Sequence, residues 1–296
     1  MYAFIRDLLE FEFLQNAFIA GILCSIASGI VGTYVVLKRI TYIAAAISHC
    51  ILGGLGAARY FSVVYDLPWL RPVYGAVLTA VASALLIGFI SLRAKEREDT
   101  VISALWAVGM AVGVLFIFKT PGYNEDLMSY LFGNILMVTR EDLYLIAALD
   151  LVVISLTVSF YYQTVAVCFD EEFARTRGVA VEFYYLLLLC LTALTVVLTV
   201  SVVGIIMVIA LLSLPVAIAS RFFTSVWKIM IAATLLGMLF TLSGLVLSYT
   251  PNLPSGALTI VIAGVAYFLT LIWSALSRPT LIQPEPATLS EYCQRD

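Results

Sequence analysis

Long apolar runs recur along this chain and leave little sequence between them. Hydrophobic residues make up 62% of the full sequence and charged residues 12%, whereas soluble domains are about half apolar and about a quarter charged. A helix needs about 20 apolar residues to cross a bilayer, and a spanning strand would show a two-residue alternation that these continuous runs lack. The sequence therefore predicts an all-α, polytopic membrane helical bundle.

Nine spans are predicted, and the loops between them predict their orientation. The spans are residues 13–37, 42–58, 72–92, 100–118, 142–166, 183–200, 204–220, 226–248 and 257–276. An eight-span alternative would merge the two runs that meet near Ser201. Lys and Arg concentrate in cytoplasmic loops, and alternate loops hold eleven and five of them. The amino terminus is therefore predicted outside the cell and the carboxyl terminus in the cytoplasm.

The only histidine, His49, lies near the middle of the second span, next to Ser48. Neutral imidazole binds zinc and other borderline metals, and it brings no charge into the membrane, where an ionised side chain costs about 2.5 to 3.5 kcal/mol. Small residues flank the histidine, with alanines at 44–46 before it and glycines at 53, 54 and 56 after it, so we expect neighbouring helix backbones to approach closely. One imidazole cannot complete a metal site. The structural alternative is a histidine hydrogen-bonded between helices.

An acidic residue, Asp150, lies about eight residues into the predicted fifth span. Ionisable residues inside membrane spans often mark a pathway for ions or protons. The alternative that the position favours is a carboxylate near the outer interface, hydrated or paired with Lys or Arg. Both interpretations are open from the sequence.

Two loop segments are predicted to form short helices. Residues 125–134 are too short and too mixed to span, and we expect an interfacial helix outside the membrane. The cytoplasmic segment Asp170–Gly178 has acids at its start, bases toward its end and a closing glycine, a pattern typical of a short helix. The alternative for the second segment is a solvated loop.

Several functions are disfavoured by what the sequence lacks. The G-x-x-x-x-G-K-[ST] phosphate-binding motif does not occur, so an ATP-driven role would require a partner protein. One histidine and one acid within a span do not form a catalytic constellation, so we expect a transporter subunit rather than an enzyme. The loop charges are mixed in sign, which argues against nucleic-acid binding.

Four separated segments resemble the permease (transmembrane) subunit of the bacterial zinc/manganese/iron ABC importer family. They are residues 32–39 running into 47–49, residues 126–133 followed by 141–143, residues 170–178, and residues 254–256 before the last span. The resemblance covers most of residues 13–276. It implies a type II ABC importer-like permease domain over 13–276, an extracytoplasmic segment over 1–12 and a cytoplasmic tail over 277–296.

The resemblance also implies an assembly in the bacterial cytoplasmic membrane. Two permeases would form a homodimer around a central pathway, with cytoplasmic ABC ATPase subunits and an extracytoplasmic metal-binding protein as partners. The ATPase would use ATP, and this chain would bind no cofactor of its own. The cargo would be a divalent transition metal ion, most readily zinc, with manganese or iron as the other choices.

We expect the translocation pathway to contain one transient metal ligand, His49, which a twofold axis would duplicate. The predicted pathway residues are Ser48, His49, Asn134, Asp150 and Asn252. Family members often carry acids where this chain has Ala45, Asn134 and Asn252, so an acidic vestibule is not expected here. The two asparagine side chains keep a carbonyl oxygen that can ligate a hard cation weakly.

The segment Asp170–Gly178 matches the family's coupling segment, which sits in a groove of the ATPase. The residues expected to serve this role are Asp170, Glu172, Phe173, Ala174, Arg175 and Gly178. Phe173 would be an apolar anchor, Glu172 and Arg175 would make polar contacts, and Gly178 would end the helix.

Two other functions remain open from the sequence. One is the permease of a metal-chelate importer for a siderophore or a corrinoid, which would need a wider cavity. The other is a secondary transporter acting alone, with Asp150 as the proton-coupling acid.

Overall fold

The computed structural model describes residues 6–8, 10–93, 98–121, 133, 135–249 and 253–277. Within these ranges the regular secondary structure is entirely helical, and nine helices are long and apolar enough to cross a membrane. The predicted all-α bundle is confirmed. The predicted interfacial helix at 125–134 lies outside the described residues except for Gly133, as does almost all of the predicted tail, and the predicted segment 1–12 is described only in part.

The nine spanning helices and two shorter α-helices follow in chain order, and the longest connection, residues 120–139, contains a 3-10 helix over Ile135–Met137. They are α1 (Glu12–Leu37), α2 (Thr41–Val64), α3 (Pro72–Arg93), α4 (Glu98–Lys119), α5 (Arg140–Ser159), α6 (Tyr161–Phe169), α7 (Glu171–Thr176), α8 (Val181–Val203), α9 (Ile205–Phe222), α10 (Val226–Tyr249) and α11 (Ser255–Ser277).

The structure differs from the predicted spans at three places. The second span continues to Val64 as part of α2 instead of ending at residue 58. The predicted span 142–166 is divided into α5 and α6, because Phe160 leaves the helical conformation. The merged eight-span alternative is wrong, because Gly204 adopts a φ of 85° and separates α8 from α9. Only glycine adopts such a backbone readily.

The core of the bundle is built around α1, α2 and α8. In the most apolar window of α2, 78% of the residues are buried, against 11% for α4. α2 packs mainly against α3 and α4, whereas α1 packs against α10, α9, α8 and α5. α4 therefore lies at the edge of the bundle and holds to it chiefly through α2.

Glycines allow α2 to approach its neighbours as closely as its sequence predicts. A Cβ atom built on Gly53 would lie 3.0 Å from the carbonyl oxygen of Gly109 in α4, and one built on Gly56 would lie 2.7 Å from that of Gly113. Gly54 lies against the backbone of Gly75 in α3. At these glycines the backbone of α2, the helix that carries His49, packs directly against the backbones of α3 and α4.

The short helix predicted within residues 170–178 is also present. α7 covers six residues, and the Asp170 carboxylate caps it by accepting a hydrogen bond from the Phe173 backbone N–H at 3.0 Å. Gly178 follows with a φ of 78°. The segment is therefore a capped and largely exposed helix, as its sequence pattern predicts, and its role in coupling stays a prediction.

The closing glycine gives a first testable prediction. Gly178→Ala should lower the thermal stability of the purified protein, because a Cβ in the left-handed region costs about 1 to 2 kcal/mol. No neighbour lies within 4 Å of a Cβ built there, so the loss would come from the backbone alone. Gly178→Asn should cost less, since asparagine tolerates this conformation. Equal melting temperatures for the three proteins would contradict the assignment.

Candidate functional site

His49 lies on the side of α2 that faces α4, and its ring stacks on Trp106. The ring centroids are 4.5 Å apart and the ring planes differ by 14°. The Nδ1 atom is buried, and none of the described residues forms a hydrogen bond with it. The indole face, and not an interhelical hydrogen bond at Nδ1, therefore sets the orientation of the imidazole.

Trp106 connects this site to the surface of the subunit. Its side chain is 38% exposed, although α4 contacts the buried α2. Trp106 is not among the pathway residues predicted from the sequence. The signal was present, because Ile102, Trp106, Gly109 and Gly113 follow a 4-3-4 spacing that places them on one face of a helix.

Ser48 is fully buried and its hydroxyl is used within α2. It donates a hydrogen bond of 2.6 Å to the carbonyl oxygen of Ala45, one turn earlier. Ala45 is itself buried. Neither residue therefore offers His49 a free hydrogen-bond donor: the Ser48 hydroxyl donates within α2, and Ala45 has an apolar side chain.

Asp150 lies on the buried face of α5, where that helix packs against α1. Its side chain is 3% exposed, and neither carboxylate oxygen has a hydrogen-bond partner among the described residues. The expected pairing with Lys or Arg is not found within the described part of the chain. The structure does not bring Asp150 to His49, because α5 and α2 pack mainly against different helices.

This burial predicts an unusual effect on stability. Asp150→Val should stabilise the protein, because a buried polar group without a partner costs about 1 to 3 kcal/mol. Asp142, on the same helix, is the matched control: its carboxylate accepts hydrogen bonds from the N–H and hydroxyl of Thr139 in a capping box. Asp142→Ala should therefore destabilise the protein by about 1 kcal/mol.

Thermal unfolding of the two purified variants measures this contrast. A loss of stability in Asp150→Val similar to that in Asp142→Ala would contradict the prediction. A gain in stability accompanied by a loss of transport would assign Asp150 to the pathway.

The two predicted asparagine ligands, Asn134 and Asn252, lie outside the described residues. Gly133, the residue before Asn134, is described, and it has a φ of 70°. A Cβ built on it would lie 2.5 Å from the backbone nitrogen of Gly204, at the junction of α8 and α9. The loop before α5 is therefore anchored on that junction.

Metal-binding side chains are sparse in the part of the chain that the structure describes. No three His, Cys, Asp or Glu side chains are grouped there in a way that could hold a metal ion. Within those ranges His49 therefore belongs to no group of three or more such ligands in a single subunit. A pathway needs coordination weak enough for the ion to leave.

The predicted coupling residues divide into an exposed and a buried set. Glu172, Phe173 and Arg175 are exposed on α7, and the Arg177 guanidinium lies 5.3 Å from the centre of the Phe173 ring. Ala174 is instead buried against Val167 and Val181. Ala174 thus attaches α7 to the bundle, whereas the exposed residues remain available to a cytoplasmic partner.

The nine helices of the described residues that are long and apolar enough to span a membrane define a polytopic membrane protein, and α7 is a short helix exposed on its surface. Residues 10–274 match the ABC 3 transport family. The chain is 40% identical over 275 residues to a probable metal transport system membrane protein of Chlamydia muridarum, covering 92% of this chain and 94% of that protein. It is 30% identical over 271 residues to a manganese transport system membrane protein of Listeria monocytogenes, covering 92% and 94%.

A solved structure gives the same result for the fold. PsaBC from Streptococcus pneumoniae, in complex with Fab, has a chain that matches with a TM-score of 0.81 and 28% identity, covering 99% of this chain and 100% of that one. The chain belongs to the ABC 3 transport family. It is a multi-pass permease subunit of a metal ABC importer in the bacterial cytoplasmic membrane, which decides against a secondary transporter acting alone.

Proposed function

We propose that this subunit passes a divalent first-row transition metal ion into the cytoplasm, and that the ion is manganese. The observation that carries the proposal is the buried, unpartnered Nδ1 of His49 on the most enclosed span. Manganese is supported by the relative named as a manganese transport protein. Zinc is the second candidate, because imidazole is a ligand that zinc favours.

The chemistry of the passage rests on incomplete coordination. His49 stays neutral and offers one nitrogen lone pair, so the ion exchanges ligands there without a tight site forming. In a homodimer with its twofold axis along the pathway, two His49 side chains would face one ion. The exposed apolar side of α4, with Val108, Val112 and Leu115, would face lipid in a single subunit and a second copy in the homodimer.

The energy would come from a partner. Cytoplasmic ABC ATPase subunits would dock on α7, with the exposed Phe173 as anchor and Glu172 and Arg175 as polar contacts. An extracytoplasmic metal-binding protein would deliver the ion from the other side. In this scheme residues 13–276 form the permease domain, segment 1–12 lies outside, tail 277–296 lies in the cytoplasm, and the chain binds no cofactor.

Competition between metals tests the proposed cargo. Cells that lack their own copy and express this chain would be given radioactive manganese together with excess unlabelled manganese, zinc or iron. We expect unlabelled manganese to suppress uptake most strongly. Stronger suppression by zinc would overturn the choice of manganese. In parallel assays with radioactive zinc and radioactive iron, the absence of chain-dependent uptake of all three labelled ions would point to a metal chelate as cargo.

A further inference from the structure

A partly buried lysine joins three elements on the cytoplasmic side of the bundle. The Lys38 side chain is 15% exposed, and it follows the last residue of α1. Its Nζ donates a hydrogen bond of 3.2 Å to the Val167 carbonyl oxygen near the end of α6, and it forms an ion pair with Glu171, the first residue of α7. One ammonium group therefore ties α7 to α1 and α6.

Both partners of the lysine are suited to a positive charge. The Val167 carbonyl belongs to the last turn of α6, where the helix dipole is negative. Glu171 lies in the first turn of α7, where the dipole favours a carboxylate. Only the lysine end of the pair is shielded from water, because the Lys38 side chain is 15% exposed and the Glu171 side chain 43%.

The same lysine lies at the start of the connection to the histidine helix. Only residues 38–40 separate α1 from α2, and Arg39 has a φ of 62°. The turn is closed by hydrogen bonds from the Arg39 N–H to the Val36 carbonyl at 3.1 Å and from the Ile40 N–H to the Val35 carbonyl at 3.0 Å. Because the turn is short and hydrogen-bonded, Lys38 and the beginning of α2 have little freedom to move independently.

His49 follows that turn on a continuous helix. It lies eight residues after Thr41, the first residue of α2, which is about 12 Å along a helix axis. Ile40 is buried, so the turn is also fixed to the core. A movement of α7 that pulls on Lys38 would therefore be passed to α2 over a short and rigid path.

We propose that the Lys38–Glu171 ion pair transmits the movement of α7 to the helix that carries His49. The pair is a positioning contact, because it touches neither the metal nor ATP. The inference rests on the proposed function, in which a partner ATPase moves α7. It adds a specific contact through which ATP hydrolysis acts on the pathway.

The experiment compares charge-removing variants in the complex of this chain with its ATPase. Lys38→Met keeps the apolar stem and removes the charge, and Glu171→Gln keeps the shape and removes the charge. Lys228→Met is the matched control, since Lys228 is an exposed lysine near the start of α10 whose Nζ lies 5.6 Å from the centre of the Trp227 ring. The measurements are co-purification with the ATPase, the rate of ATP hydrolysis and the metal transported per ATP hydrolysed.

We expect both variants to assemble and hydrolyse ATP, and to transport about 3- to 10-fold less metal per ATP, which corresponds to about 0.7 to 1.4 kcal/mol of lost coupling. The double variant should be no worse than Lys38→Met, since the ion pair that Glu171→Gln weakens is already absent when the lysine is replaced. Lys228→Met should retain the wild-type ratio.

The proposal is overturned if Glu171→Gln keeps the wild-type ratio of metal to ATP, or if the losses of the two single variants multiply in the double variant. Glu171 is the more exposed partner, so its variant decides the question even where Lys38→Met does not fold. Wild-type protein that neither co-purifies with an ATPase nor transports metal would instead refute the proposed function.

Discussion

Replacing His49 by alanine is expected to lower metal uptake by about tenfold or more, which corresponds to about 1.4 kcal/mol or more of lost stabilisation along the pathway. The imidazole is the only histidine side chain in the sequence, and its buried Nδ1 has no described protein partner to lose. The protein should therefore remain folded. Uptake of radioactive manganese by cells expressing equal amounts of each variant is the measurement.

Trp106 supplies the matched controls for this prediction. Trp106→Phe keeps an aromatic face under the imidazole and should retain most of the uptake. Trp106→Ala removes the stacking partner and should give an intermediate loss, because the ring then samples other orientations. Wild-type uptake in the His49→Ala variant would return His49 to a purely structural role.

Replacing Gly54 by valine is expected to prevent accumulation of folded protein. Even a single Cβ at this position would collide with the Gly75 carbonyl oxygen and the Thr79 hydroxyl, and a carbonyl on a helix cannot rotate away as a flexible side chain can. Overpacking a core usually costs about 1 to 3 kcal/mol, and here two helix backbones would have to separate. The loss should therefore exceed that range.

Gly264→Val is the control for the effect of valine in a spanning helix. No atom lies within 4 Å of a Cβ built on Gly264 in α11. The yield of monodisperse protein and its melting temperature in detergent measure the difference. A Gly54→Val protein as abundant and as stable as Gly264→Val would show that α2 and α3 are not held at backbone distance.

The spanning helices could be predicted because each depends on local composition. A run of about 20 apolar residues has few alternatives in a membrane, and the glycines near His49 predicted the close packing of α2. The cap at Asp170 and the glycine at 178 likewise predicted α7 from neighbouring residues alone. The break at Phe160 could not be predicted, since no proline or glycine marks it.

The contacts that build the candidate site depend on residues far apart in the chain. Lys38 and Glu171 are 133 positions apart, and nothing in either local sequence indicates the other. The absence of a hydrogen-bond partner for the Asp150 carboxylate among the described residues likewise depends on which side chains of α1 lie against α5, and those are distant in sequence. Its position near the predicted outer interface suggested a hydrated or paired acid, whereas the packing of the bundle buries it.

The total manganese, zinc and iron content of cells lacking this chain, with and without the wild-type gene restored, tests the central claim most directly. We predict that manganese falls in the deletion strain, that zinc and iron change little, and that the wild-type chain restores manganese. An unchanged content of all three metals would contradict the claim that this subunit imports a free divalent metal ion.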